Sequence, residues 1–302
     1  MGYEVNVSVK DFAKALNLDV VVDGKGHVKI ASDNISRLGL PLTGYFNHFD
    51  NKRIQVVGLV ESEYIYGMER ERAIEVFKEL FSKDIPCLII TRGLTLPGEI
   101  ISLAKEFYCP VFSSKEITTQ MVNRGYSYVS RLIAPETMRH GVLLDVSGVG
   151  ILIEGNAGIG KSEIALELIN RGHRLVADDC VIIRLVNGEL IGSAPEMIRN
   201  YMEIRGLGIV NIQTMYGPGS VLQEKNIDIV VQLERWDVNK KYDRIGDEQM
   251  TETILDMERF KLLMPVSPGR NIPTIIETAA RKFRLKQGGY DAAQELLNKT
   301  LK

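Results

Sequence analysis

Two short stretches of this chain carry residue types that can move a phosphoryl group. Residues 153–163 read IEGNAGIGKSE and residues 173–180 read HRLVADDC. In the first, Gly155, Gly160, Lys161 and Ser162 satisfy G-x-x-x-x-G-K-[ST], with Asn156, Ala157, Gly158 and Ile159 between them. Glycines let the backbone turn sharply and point successive N–H groups inward. Together with the first turn of a helix, such donors form an anion site. Lys161 adds a point charge suited to β and γ phosphates, and the Ser162 hydroxyl can ligate Mg²⁺. A glycine turn that only joins a strand to a helix would not need the Lys-Ser pair. In the second stretch, Asp178 and Asp179 end a short apolar run. Adjacent residues on an extended chain point opposite ways, so the pair can divide its work. One carboxylate could hold a metal while the other takes a proton from an attacking hydroxyl; a polar turn is the alternative.

Further candidates flank these two. His140 lies just before the apolar run that feeds the glycine loop; a structural histidine at a strand start is the competing reading. In NYMEIRGLGIVNI, residues 200–212, Glu203 could complete a metal shell, since hard cations prefer oxygen. Arg205 there could hold phosphate bidentately. Arg244, in the polar stretch after QLERW, is either a phosphate clamp or a surface charge. MPVSPGRNIP, residues 264–273, packs three prolines, a glycine and Arg270 into what reads as a loop.

The elements around these residues predict an α/β fold. In the first half, residues 54–60 read as a buried strand and residues 64–82 as one helix. PCLIIT and CPVFSS read as further strands, with the helix LPGEIISLAKEF between them and Ser114 capping a helix from Lys115. Strand alternating with helix implies a parallel sheet. No catalytic constellation shows in this half: Asp84 and Glu99 read as loop or helix-start residues, and His27 and His48 as structural. The pattern weakens over residues 122–136, which places the boundary between an N-terminal α/β domain, residues 1–128, and a C-terminal P-loop kinase domain, residues 129–302. The second half opens with two apolar runs flanking SGVG, a hairpin signal leading into Gly155. A helix then runs to Gly172, with His173 as an exposed or capping residue. TIIETAARKFRLKQGG and YDAAQELLNKTLK read as two closing helices.

Composition sets outer limits. Of 302 residues, 45% are hydrophobic and 25% charged, with a net charge of -2, which fits a globular protein without a pull toward nucleic acid or anionic membrane. No run of about 18 apolar residues suggests a spanning helix. The beginning of the chain does not read as a signal peptide. Three cysteines without metal-like spacing argue against a disulfide framework, so a cytoplasmic location is expected.

Four stretches taken together resemble the bacterial HPr kinase/phosphorylase family: HGVLLDVSGVGILIEGNAGIGKSEIALELINRGHRLVADD, MEIRGLGIVNI, DIVVQLERW and PVSPGRNIPTIIETAA. The resemblance implies a bifunctional enzyme that phosphorylates one serine of the phosphocarrier protein HPr with ATP or pyrophosphate and Mg²⁺. The same enzyme would reverse the step with inorganic phosphate, releasing pyrophosphate, and so govern carbon catabolite repression and sugar uptake. It implies a homohexamer. The family's catalytic residues fall on His140, Lys161, Asp179 and Arg244, and magnesium ligation on Ser162 and Glu203. The segment needed for both directions covers Met202, Arg205, Gly206, Leu207, Gly208 and Asn211. The segment tied to dephosphorylation covers Pro265, Val266, Ser267, Pro268, Gly269 and Arg270. Ala157 stands where the family commonly has Ser or Thr, which removes one possible phosphate contact. The rival readings are a P-loop small-molecule kinase related to phosphoenolpyruvate carboxykinase and a nucleotide sensor without turnover.

Overall fold

The structure, a computed structural model, describes residues 7–25, 29–30, 34–237 and 250–290. The chain divides into two compact units, Met1–Ala134 and Pro135–Lys302.

The first unit contains β1 (Val7–Ser8), α1 (Val9–Ala15), β2 (Asp19–Val22), β3 (Lys29–Ile30), β4 (Ile35–Arg37), β5 (Ile54–Val57), α2 (Leu59–Gly67), α3 (Arg70–Ser82), β6 (Leu88–Ile90), α4 (Gly98–Glu106), β7 (Val111–Ser113) and α5 (Thr118–Ile133). Five strands form a sheet in the order β2-β7-β6-β5-β4. β4 to β7 run parallel, and β2 joins β7 antiparallel. Phe77, Leu80 and Ile100 pack on one face, Phe12, Met121 and Val129 on the other. Every residue of β5 is buried, as in a strand covered on both sides.

Local chemistry moved several expected boundaries. The strand read over residues 54–60 ends at Val57, because Gly58 caps α2 and donates its N–H to the Glu61 carboxylate at 3.0 Å. The helix read over residues 64–82 is two helices, broken where Met68 and Glu69 are extended. Ser114 closes a turn by accepting the Glu116 N–H at 3.2 Å, and the helix starts at Thr118. The weakly patterned stretch after residue 122 continues that helix. Its Gly125 lies against β4, where a Cβ would come within 2.5 Å of Ile35 Cδ1. Asp84 and Glu99 pair with Lys25 and Arg70, and His48 is exposed. His27 lies outside the described residues.

The second unit contains β8 (Glu136–His140), β9 (Val142–Val146), β10 (Val149–Gly155), α6 (Lys161–Asn170), β11 (Arg174–Ala177), β12 (Cys180–Val186), β13 (Glu189–Ser193), β14 (Tyr201–Ile204), β15 (Gly208–Asn211), α7 (Ile212–Tyr216), β16 (Glu224–Asn226), β17 (Ile229–Arg235), β18 (Met250–Ile254), β19 (Met257–Val266) and α8 (Ile272–Gln287). A six-stranded sheet runs β11-β9-β10-β17-β19-β18, and a four-stranded sheet runs β16-β13-β12-β8. β9 and β10 form the expected hairpin, turned by Ser147 and Gly148 at φ 52° and 89°. Ile151 and Ile153 pack with α6 and α8. Leu152 points the other way, toward Val181 and Ile183 of the four-stranded sheet. β10 is therefore apolar at every turn of the pleat because both its faces are covered.

β10, β17 and β19 are parallel. β11 is antiparallel to β9, which is antiparallel to β10, so β11 points the same way as β10. The carboxyl ends of these four strands thus share one edge, where open α/β sheets bind ligands. Of the last expected helix only Tyr290 is described. No described helix is long and apolar enough to cross a membrane.

Gly150 is the tightest point of this scaffold. A Cβ there would stand 1.7 Å from the Asn226 carbonyl oxygen, a backbone atom that moves only with its strand. Gly150→Ala is expected to destabilise folding by about 1–3 kcal/mol. Urea unfolding of the variant beside the wild type measures it.

Candidate active site

The chain leaves β10 at Gly155 and enters α6 at Lys161. Between them Gly158 and Gly160 adopt φ 73° and 102°, a region side chains resist. The turn directs the first, unpaired N–H groups of α6 toward the sheet edge. Lys161 is 8% exposed, and its Nζ donates to the carbonyls of Gly155 at 2.9 Å and Asn156 at 3.4 Å. The cation is thus folded over its own loop, at the point where phosphate oxygens would compete for it.

The two aspartates diverge. Asp178 is 5% exposed at the end of β11. Its carboxylate accepts the Ser162 hydroxyl at 3.0 Å and the Glu203 backbone N–H at 3.2 Å. Burial pushes this carboxyl above the usual carboxylate range, against the pull of those two donors; the Asp179 charge adds to the rise. Asp179 occupies a left-handed turn at φ 65°, and its side chain is 74% exposed. Its carboxylate lies 3.1 Å from His140 Nδ1. The same residue's carbonyl accepts the Gly141 N–H at 3.2 Å. His140 is not in the strand pair that feeds the loop. It ends β8, opposite Cys180 of β12 in the other sheet.

The remaining expected residues fall on the β14–β15 hairpin and at the end of β19. β14 and β15 pair as a hairpin anchored by Met202, 1% exposed, and Ile204. Arg205 follows them, and its guanidinium overlies the loop: a Cβ on Gly158 would stand 3.3 Å from its Nη2. Gly206 and Gly208 turn the hairpin at φ 84° and 90°, with Leu207 exposed between them. Asn211 caps α7 by accepting the Thr214 N–H at 2.9 Å, a structural task. Glu203 faces solvent on this hairpin, and only its backbone is tied to the centre. Pro265 and Val266 are not loop. They continue β19, opposite Glu234 and Arg235 of β17. The loop proper is Ser267, Pro268, Gly269 and Arg270, whose Nη1 donates to the Pro265 carbonyl at 3.4 Å. It ends at Asn271, which caps α8. Arg244 lies outside the described residues.

His173 differs from its expected place. It is buried, with Nε2 2.9 Å from Glu277 of α8, beside Arg171. The side chain reaches a helix about a hundred residues away, a partner no local pattern reveals. Glu154, the last residue before Gly155, is also buried, and Arg139 reaches both it and Glu252. A lone glutamate ahead of glycines carries no signal in sequence.

The donor types decide what this edge can hold. Ser162 and Asp178 present hard oxygens within 3.0 Å of each other, which suits a divalent cation that takes its remaining ligands from phosphate and water. Inward N–H groups and Lys161 suit a phosphate chain beside it. Such a loop, with a buried carboxylate behind it and a solvent-facing carboxylate–imidazole pair in front, defines a P-loop phosphotransferase site.

Comparison with known proteins gives the family. Residues 7–129 match the family model described as HPr Serine kinase N terminus, and residues 131–300 the one described as HPr Serine kinase C-terminal domain. The chain belongs to the HPr serine kinase family. An HPr kinase/phosphorylase of Caldanaerobacter subterraneus subsp. tengcongensis is 46% identical over 298 residues, 98% of each chain. One of Listeria monocytogenes serotype 4a is 45% identical over 292 residues, 96% of this chain and 94% of its own. A solved structure titled Hpr(Ser) kinase/phosphatase from Coxiella burnetii is 37% identical and covers 53% of this chain and 98% of its own, with a TM-score of 0.48.

The raised carboxyl of Asp178 has a consequence for stability. A folded-state pKa above the unfolded value means that ionisation opposes folding. The penalty is absent below the unfolded pKa, grows as pH rises through the window between the two values, and stays complete above the folded one. Relative to Asp178→Asn, which cannot ionise, the wild type is therefore expected to gain stability as pH falls through that window, whatever the fixed offset left by an amide facing the Glu203 N–H. Thermal unfolding of both proteins against pH tests this, and a difference that does not change with pH would contradict it.

Proposed function

We infer that this chain is a bifunctional enzyme that phosphorylates a serine of HPr and removes that phosphate by phosphorolysis. The observation that carries the reading is Asp179, exposed and 3.1 Å from His140, beside a loop whose Lys161 and Ser162 are backed by Asp178. A protein hydroxyl can reach a carboxylate that faces solvent; it could not reach Asp178.

ATP or pyrophosphate is the donor in this reading. Mg²⁺ would neutralise charge on the phosphate oxygens, held by Ser162 and Asp178, with Glu203, whose backbone N–H donates to Asp178, as the further ligand the family resemblance implies. The loop N–H groups and Lys161 bind and orient the phosphates, and they face the charge that develops in transfer. Arg205, over Gly158, clamps from the hairpin side.

In the forward step the serine oxygen bonds to the terminal phosphorus, the bridging P–O bond breaks, and Asp179 takes the serine proton. In the reverse step an oxygen of inorganic phosphate attacks the phosphoserine phosphorus. The serine oxygen leaves with a proton from Asp179, and pyrophosphate is released. Microscopic reversibility assigns both tasks to the same carboxylate. His140 holds Asp179 and supports its charge. The assembly in this reading is a homohexamer, which rests on the family resemblance and is measured by light scattering.

Purified chain is assayed with HPr, ATP and Mg²⁺, then with phosphoserine-HPr and phosphate. HPr left unmodified would favour a small-molecule kinase, and absence of any turnover a sensor. Asp179→Asn is expected to lose about 10²–10⁴-fold in both directions while nucleotide affinity survives. A collapsed kinase with near wild-type phosphorolysis would refute the shared carboxylate. Lys161→Ala should cripple both directions. Glu203→Gln should raise the Mg²⁺ concentration needed for half-maximal rate; an unchanged midpoint removes Glu203 from the shell.

A further inference from the structure

Asp179 is fixed through its neighbour Asp178, whose carboxylate holds Ser162. His140 is fixed differently. Its strand, β8, is an edge of the four-stranded sheet and, among the described residues, pairs only with β12. On the other side Arg139 reaches across to the six-stranded sheet. Its Nη1 lies 3.9 Å from Glu154 Oε1 and 3.2 Å from Glu252 Oε1, and Lys261 Nζ lies 2.8 Å from Glu252 Oε2. The side chains of Glu154 and Glu252 are only 11% and 16% exposed. The backbone after His140 runs close over the same glutamate: a Cβ on Gly141 would stand 3.4 Å from Glu154 Cγ.

Stability does not explain a glutamate here. Leu152, two residues earlier on the same face of β10, is fully buried among apolar neighbours. A buried carboxylate costs free energy that its partners repay only in good geometry. Burial and the charge of Glu252 both push the Glu154 carboxyl up, while Arg139, Lys261 and His140 pull it down. What the ion pair supplies is registry between two sheets: one end is the last residue before the phosphate loop, the other the residue before His140.

We propose that Glu154 and Arg139 are positioning residues for phosphoryl transfer, whose ion pair sets where His140 stands against Asp179 and the phosphate loop. This deepens the kinase reading and rests on it. A displacement of about 1 Å in a reacting geometry can cost on the order of a hundredfold in rate.

The test measures kcat and KM for ATP with HPr, and the phosphorolysis rate, for Glu154→Gln, Arg139→Gln and the double variant. Each is first checked as folded by near-ultraviolet circular dichroism at the assay temperature. Each single variant should lose about tenfold or more in kcat in both directions, with KM for ATP within about twofold of wild type. The double variant should be no slower than the worse single, because both break one interaction. Glu154→Asp keeps the charge within reach of the long Arg139 side chain and should recover most of the rate. Should a single variant fail to fold, Glu154→Leu combined with Arg139→Met keeps the interface filled and should be folded yet slow. Wild-type kcat in any folded charge-removing variant, losses that multiply in the double, or a KM rise that matches the kcat loss each overturns the proposal. A wild-type chain that leaves HPr unphosphorylated overturns the functional reading, and this inference with it.

Discussion

The hydrogen bond from Ser162 to the buried carboxylate of Asp178 is the contact on which the site depends. Ser162 belongs to the first turn of α6, and Asp178 follows β11, two strands away from β10 in the six-stranded sheet. Hydrogen bonds to charged groups are worth about 1.5–3 kcal/mol, and more is lost when a buried charge is left without one. The bond therefore holds the start of the helix, the end of the strand and, through the Glu203 N–H, the β14–β15 hairpin in one arrangement. Asp179 is placed outward because its neighbour is held inward.

The same unit solves a packing problem. A sheet with α6 and α8 on one face and a second sheet on the other has no wet side, so β9, β10 and β17 are apolar nearly throughout. Polar chemistry is then confined to the edge where strands end. The glycine loop, the Asp178–Asp179 turn and the loop from Ser267 to Arg270 all leave the sheet at that edge. The charges of Arg139, Glu154, Glu252 and Lys261 enter the gap between the two sheets.

The first unit uses its strand ends otherwise. Thr91 and Thr118 are buried and share a hydrogen bond of 2.9 Å, and Arg37 donates to Glu61 at 2.8 Å. These groups satisfy one another at the carboxyl ends of β4, β5 and β6.

Residue order alone specified the loop, because cradling phosphate requires glycine, lysine and serine at fixed spacing. It also specified that two adjacent carboxylates would face different ways, that β9 and β10 would form a hairpin, and, through four motifs in order, the family. Short-range rules failed where a competing local bond won, as at Gly58 with Glu61 and at Ser114, and at residues 64–82, where the apolar period masks the break that follows Gly67. They also lost the last turns of α5, whose glycine answers to β4 and not to its own helix. Long-range packing settled which aspartate is buried, that His140 belongs to the second sheet, that His173 meets Glu277, and that Glu154 shares Arg139 with Glu252. Each of these depends on a partner far along the chain. Periodicity records which face of an element is apolar, but not which distant side chain will arrive opposite a given charge.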